Sequence, residues 1–241
     1  MPDTEYYEVA KPGTIGEALM TRARDYIYSD FLAKCAPGPA DTILDVGVSD
    51  VVNKGANFLE RLYPHQDRIT ACGLGPGRDF RLAFPGVHYR QVTAAGPLPF
   101  TDKSFDIAAA NAVLEHVGGL ESQKLFAAEL LRVARRVFLS VPNRFFPIEH
   151  HTGIPFAHWN DATFRLACRC LGKQKWTDER RLRLMSPSRL RSIVPAGISC
   201  EIGYTGLRLG PVSSNMYVYL SQDVYDIGAD RAGTVAHNVF L

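Results

Sequence analysis

The stretch that decides the fold is Asp41-Thr42-Ile43-Leu44-Asp45-Val46-Gly47-Val48-Ser49-Asp50. Ile43, Leu44, Val46 and Val48 form a short apolar run, mostly β-branched, which suits a strand covered on both faces. Gly47 and Ser49 are small, so another group can lie close to the backbone after the strand. Asp45 is a carboxylate inside the apolar run. Burying a charge without a partner is costly, so it must pair with something at the carboxyl end of the strand. In open α/β sheets that edge is where ligands bind.

Outward from this strand, composition narrows the classes. The chain has 241 residues, 46% hydrophobic and 22% charged, enough for one large core and an accessory segment. Its formal net charge of +2 does not call for a polyanionic partner. No apolar run approaches the length of a membrane span. Met1 to Ala10 is polar and acidic, without the basic and apolar regions of a secretory signal. The five cysteines, Cys35, Cys72, Cys168, Cys170 and Cys200, are odd in number and scattered, which favours reduced thiols and a cytoplasmic location. Cys168 and Cys170 form C-x-C with no second pair, so structural zinc is not expected.

Periodicity lays out the remainder. Gly16 to Ala36 has near-helical apolar spacing and predicts one or two helices on the sheet edge, ended by Pro37-Gly38-Pro39. After the strand at 42–48, Asn53 to Leu62 predicts a helix and Arg68 to Leu74 a strand. The turn Gly73-Leu74-Gly75-Pro76-Gly77 follows, then a short helix at Asp79 to Phe84 and a strand at Val87 to Val92. Phe105 to Val113 predicts a fourth strand, Leu120 to Val133 a strongly amphipathic helix, and Arg135 to Val141 a fifth strand. Strands alternating with helices predict an α/β, Rossmann-like, mainly parallel twisted sheet with helices on both faces. Helical segments at 161–172 and 186–194 precede two late strands, Ser199 to Gly206 and Asn215 to Gln222, the last expected to be antiparallel. The reading is of one domain: a helical arm (1–40), a ligand-binding half (41–143), an acceptor-side half (144–222) and a tail (223–241).

The ligand follows by exclusion. There is no G-x-x-x-x-G-K-[ST]. No G-x-G-x-x-G follows the first strand, and Asp50 stands where a pyrophosphate would meet a helix N-terminus. A nucleotide-like ligand without phosphates remains, and S-adenosylmethionine fits: its cationic amino group suits a carboxylate at the first turn.

Ile43-Leu44-Asp45-Val46-Gly47-Val48-Ser49 resembles the first motif of class I S-adenosylmethionine-dependent methyltransferases, in which D-x-G-x-G closes strand 1. Leu98-Pro99-Phe100-Thr101-Asp102-Lys103-Ser104-Phe105-Asp106-Ile107 resembles the L-P-F-x-D-x-S-F-D segment before strand 4 of their type 11 branch. Asn111-Ala112-Val113-Leu114-Glu115-His116-Val117 and Arg132 to Asn143 are similar to that branch's strand-4 ending and strand 5. The resemblance implies cofactor-binding roles for Asp45, Gly47, Ser49, Leu74, Gly75, Leu98, Asn111 and Ala112. The chain departs from the pattern at two places. Strand 2 ends in Gly73-Leu74-Gly75 with no ribose-binding acid, Asp79 being the nearest, and Thr93-Ala94-Ala95 stands where an acid meets adenine.

The acceptor is sought after strand 5, in Pro147-Ile148-Glu149-His150-His151-Thr152-Gly153-Ile154-Pro155, flanked by Phe145, Phe146, Phe156, His158 and Trp159. His150, His151 and His116 are the candidate catalytic bases. Glu149, His150, His151 and His158 are metal-ligating residue types, but no helical H-x-x-x-H spacing supports a site, and no metal is assigned. Nine Lys/Arg lie from Arg165 to Arg191 against Asp178 and Glu179. That stretch suits a solvated face, an anionic acceptor or peripheral membrane contact. With no [DN]-P-P-[YF] after strand 4 and no RNA-binding module, a nucleic-acid partner is disfavoured. The expected function is O-methylation of a small-molecule or glycan-type acceptor. Two alternatives stay open: a non-catalytic Rossmann-like binding or scaffold protein with a degraded cofactor site, and an atypical oxidoreductase using Gly73-x-Gly75-x-Gly77.

Overall fold

A computed structural model of the chain describes residues 14–50, 55–94 and 96–222. Residues 1–13 of the N-terminal arm, the start of the helix placed from Asn53 and the tail from Asp223 lie outside the described residues. The strands are β1 (Ile43–Val46), β2 (Ile69–Gly73), β3 (His88–Gln91), β4 (Phe105–Asn111), β5 (Ala134–Pro142), β6 (Ser199–Leu209) and β7 (Val212–Ser221). They form one sheet in the order β3-β2-β1-β4-β5-β7-β6. The first five are mutually parallel, and β7 runs antiparallel to both β5 and β6. The strand order reverses between β1 and β4, which makes their carboxyl ends the ligand-binding crevice of the fold.

Side-chain alternation assigns the two faces. Leu44, Val46, Ala108, Val137 and Leu139 point to one layer, packed by helices α4 (Leu120–Val133) and α6 (Pro187–Ser192). Ile43, Ile107, Ala109 and Phe138 point to the other, packed by α1 (Ile15–Cys35), α2 (Phe58–Leu62) and α3 (Arg78–Ala83). Helices on both faces are thus as the pattern predicted. The segment from 16 to 36 is a single helix. It buries Ala23, Ile27, Phe31 and Cys35, spaced by four residues, while Leu19, Tyr26 and Leu32 stay exposed. Thr14 caps its start by accepting from the Glu17 N–H. Ala36 ends it in the left-handed conformation, φ 42°, before Pro37.

Other boundaries shift modestly. The strand placed at 105–113 ends at Asn111, because Ala112 turns left-handed (φ 55°) and its N–H goes to Ser140 O. The late strands are longer than expected, reaching Leu209 and starting at Val212. A third, smaller cluster of Ile154, Phe164, Cys168, Trp176 and Leu182 ties α5 (Asp161–Cys170) to the loop after β5. That satellite core gives the acceptor-side segment its own anchor beside the sheet.

Candidate active site

The turn after β1 is built by backbone hydrogen bonds and close approach. Gly47 N–H and Val48 N–H both donate to Cys72 O on β2. Gly47 has φ 102°, and a Cβ there would overlap the Val113 side chain, so glycine is required by conformation and by space. A Cβ on Gly73 would come within 2.8 Å of Val48 O. Ser49 is buried, and Asn57 clasps its backbone, accepting from Ser49 N–H and donating to Ser49 O.

Asp45 finds an unexpected neighbour. Glu60 of α2 is fully buried beside it. The Glu60 oxygens make no hydrogen bond of ordinary geometry, yet they lie near enough for the two acids to repel. Burial pushes Asp45 up to about 7, offset in part by the Glu60 carboxyl and the Val46 N–H. Burial, and then Asp45, push Glu60 up further. The pair therefore retains a proton at neutral pH, as two acids sharing one site do.

At the carboxyl end of β4, Asn111 Oδ1 accepts from Arg24 Nη1 at 2.6 Å and from Ser140 Oγ at 2.6 Å. The guanidinium of α1 thus arrives at the strand end where the resemblance implies cofactor-binding roles for Asn111 and Ala112. The donor set there fits an amino-acid tail: a guanidinium for a carboxylate and an acid pair for an ammonium. The ribose end is different. Leu74 is exposed, its carbonyl accepts from Gln91 Nε2, and Gly75 O accepts from Tyr89 Oη. Asp79 is exposed at the start of α3, while Asp50 is committed to the N–H groups of Gly77 and Phe80. No carboxylate among the described residues takes the place of the missing strand-2 acid. Leu98 packs in the core, and its N–H is spent on Glu129 Oε1, which leaves only its apolar side chain for any ligand.

The acceptor-side residues converge more tightly than the sequence suggested. A 3-10 turn, Leu114–His116, follows β4. It is pinned by Gln123 of α4, buried, whose Nε2 donates to Leu114 O while its Oε1 accepts from Arg189 Nε. His116 Nδ1 lies 2.6 Å from Arg181 O. His151 Nε2 lies 3.1 Å from His116 Nε2, and His151 Nδ1 lies 2.9 Å from Glu149 Oε1. Glu149 also accepts from the His151 and Thr152 N–H groups and from Thr152 Oγ1. Burial alone would raise the Glu149 carboxyl; His151, and then Thr152, outweigh it and bring it down to about 2. Burial, with His151 beside it, lowers His116 to about 4. Glu115 is buried, with no hydrogen-bond partner for either oxygen, and burial lifts it to about 7.

The three histidines named from the sequence therefore part ways. His116 and His151 meet, whereas His150 is exposed and rests edge-on against Phe146. His158 is buried and spends Nε2 on Phe146 O. A small cleft, with a cavity of only about 10 Å³, is lined by Glu115, Asn143, Glu149, His150, His151 and Met185 beside this group. Beside it runs a wider polar groove lined by Arg144, Arg165, Arg183 and Arg189. Several of its cations are already paired: Arg144 with Asp161, Arg183 with Glu179 and Arg189 with Gln123. Glu60, Arg24, Glu115 and Gln123 were not singled out by the sequence. Each sits in a helix or turn where a charged or amide side chain reads as solvated. Only Glu115, between Leu114 and His116 in an otherwise apolar strand ending, carried a local signal.

The family model for a methyltransferase domain matches residues 67–137, which span β2 to β5. Over that stretch the chain is similar to a methyltransferase domain, and its sheet order is that of the fold. Its fold is shared with magnesium protoporphyrin IX methyltransferase from Synechocystis, solved with bound S-adenosylhomocysteine. The two are 14% identical with a TM-score of 0.56, over 90% of this chain and 91% of that one. The methyltransferase domain of a bacterial Hen1 protein is 12% identical with a TM-score of 0.53, over 84% of this chain and 99% of that one. A methyltransferase from Aquifex aeolicus is 13% identical with a TM-score of 0.52, over 91% and 98%. No curated protein matches the chain. Among the described residues no helix is long and apolar enough to cross a membrane, and all five cysteines are free.

Proposed function

We propose that the domain transfers a methyl group from S-adenosylmethionine to an oxygen of a small-molecule or glycan-type acceptor. The observation that carries this reading is the Glu149–His151–His116 chain at the carboxyl edge of β4 and β5, next to the β1 turn. Arg24 and Asn111, with the Asp45–Glu60 pair, would hold the methionine end of the cofactor. Gly47 and Ala112 shape the backbone around it, Ser49, Leu74 and Gly75 border it, and Leu98 offers apolar contact.

When bound, the cofactor supplies an electrophilic methyl group on a sulfonium. The chain's part is alignment and control of the acceptor proton. The satellite core anchors the loop after β5 that carries Glu149 and His151, and much of the rate gain in such transfers comes from orientation, several kcal/mol by effective-molarity arguments. The Nε2 atoms of His116 and His151 face one another as lone-pair groups, able to take a proton from an acceptor hydroxyl or to hold a cation that does the same work. Glu149 fixes the His151 tautomer, the role a buried carboxylate plays behind a working histidine.

The test is release of S-adenosylhomocysteine with a panel of hydroxyl acceptors, phenolic and sugar. His151→Ala is expected to lower turnover at least about tenfold with cofactor affinity unchanged, and His150→Ala to act more weakly because its ring stands against Phe146, outside the Glu149–His151–His116 chain. Unchanged turnover in His151→Ala would remove this loop from the chemistry. The missing acid after β2 favours one other reading, a binding protein that keeps the fold without catalysis. It predicts no affinity for S-adenosylmethionine at millimolar concentration.

A further inference from the structure

Glu115, His116 and His151 each present one ligand atom, and those atoms all lie within 4.8 Å of one another. The hydrogen bonds around the two rings fix their tautomers. Arg181 O can only accept, so His116 Nδ1, 2.6 Å away, carries a hydrogen. Both Glu149 oxygens already accept from the His151 and Thr152 N–H groups and the Thr152 hydroxyl, and Oε1 acts as an acceptor toward His151 Nδ1, 2.9 Å away, which therefore carries a hydrogen too. A neutral imidazole has one N–H. Both Nε2 atoms therefore offer lone pairs, and they point at each other across 3.1 Å. Two lone pairs at that separation repel unless a cation lies between them.

The cation is a proton or a metal ion, and Glu115 decides. Its carboxyl is 1% exposed, and neither oxygen has a hydrogen-bond partner. A proton shared by the rings would satisfy both Nε2 atoms and leave Glu115 buried and unsatisfied, a costly arrangement. A metal ion satisfies all three groups. Two imidazole nitrogens each about 2.0–2.1 Å from one ion, at angles of about 90–110°, stand about 2.8–3.4 Å apart, which brackets the observed separation. The outer partners also suit a metal. Ligating histidines donate their other N–H to a carboxylate or a backbone carbonyl, here Glu149 and Arg181 O.

We propose that Glu115, His116 and His151 form a binding site for a divalent first-row transition-metal ion, such as zinc or manganese, at the acceptor end of the domain. Two imidazoles and one carboxylate suit such ions and leave coordination positions open. Glu115 and His151 line the cleft, so the open positions face the place where an acceptor oxygen would enter; this part of the inference rests on the methyl-transfer reading. A hydroxyl bound to the ion loses its proton more readily, so the ion replaces a side-chain base.

The test is metal binding to the untagged full chain after chelation, with zinc and manganese titrated by calorimetry and cobalt followed by visible absorption. One equivalent is expected. Affinity should fall at least about tenfold in Glu115→Gln, His116→Ala and His151→Ala, and also in Glu149→Gln, which touches only the outer partner. His65→Ala should leave it unchanged. Absence of binding to the wild-type chain at submillimolar metal overturns the site even if a variant fails to fold, as does full affinity in the folded ligand variants. Binding of S-adenosylmethionine, measured on the metal-free protein, tests the methyl-transfer reading separately.

Discussion

Asp45 shows how a single residue changes meaning once its neighbours are known. In the sequence it is a buried acid that needs a partner, and a cationic ligand group is the natural one. The fold supplies another acid, Glu60, against it. Both are held above the ordinary carboxylate range, so the folded state binds protons that the unfolded state releases. Stability therefore falls as pH rises from about 4 through about 7, where Asp45 titrates, and goes on falling until Glu60 has lost its proton too. Replacing Asp45 by Asn removes the buried charge. Thermal melts should show Asp45→Asn raising stability by about 1–3 kcal/mol at pH 8 and by much less at pH 4, while S-adenosylmethionine affinity falls. Equal gains at both pH values would mean that the pair is not strained by charge. Such a trade of stability for binding is what a strained polar site predicts.

Among the elements, the connection from β4 through the 3-10 turn to α4 governs the acceptor site. The motif that most specifically carries the family resemblance, Leu98 to Asp106, turns out to brace this connection. Arg132 of α4 forks onto Glu129 and reaches Asp102 and the carbonyls of Leu98 and Phe100. Lys103 donates to the carbonyls of Leu131 and Ala134 at the end of α4. Asp106 accepts from the Thr42 N–H and hydroxyl, joining β4 to the entry of β1. Its similarity to the family thus follows from architecture as much as from ligand binding. Gln123 does the equivalent work for the turn at Leu114–His116. Gln123→Leu would leave Leu114 O and Arg189 Nε without that partner, and urea denaturation should register a loss of about 1–3 kcal/mol. Turnover should fall with it, since His116 rides on the turn; a stable, fully active variant would show the turn to be held by other contacts.

On the scale of the whole molecule, the sheet was legible because alternation and burial are local properties. Apolar runs at β1, β4 and β5 and the amphipathic α4 place themselves. The turn after β1 was legible for the same reason, since Gly47 and the strand end lie within one contiguous pattern. The acceptor site was less so. His116 and His151 are 35 positions apart and meet only because β5 lies beside β4 and the satellite core folds the loop back. No spacing rule reports that contact, which is why the sequence offered His150, His151 and His116 side by side without separating them. Glu60 and Arg24 were hidden likewise, their long-range partners having no periodic signature.

The central claim is that the carboxyl edge of β1 and β4 binds S-adenosylmethionine despite the missing acid after β2. Isothermal titration of the full chain with S-adenosylmethionine tests it most directly. The account predicts saturable one-to-one binding that weakens in Asp45→Asn and in Arg24→Ala. No heat of binding at millimolar cofactor, or an affinity untouched by both substitutions, would contradict it.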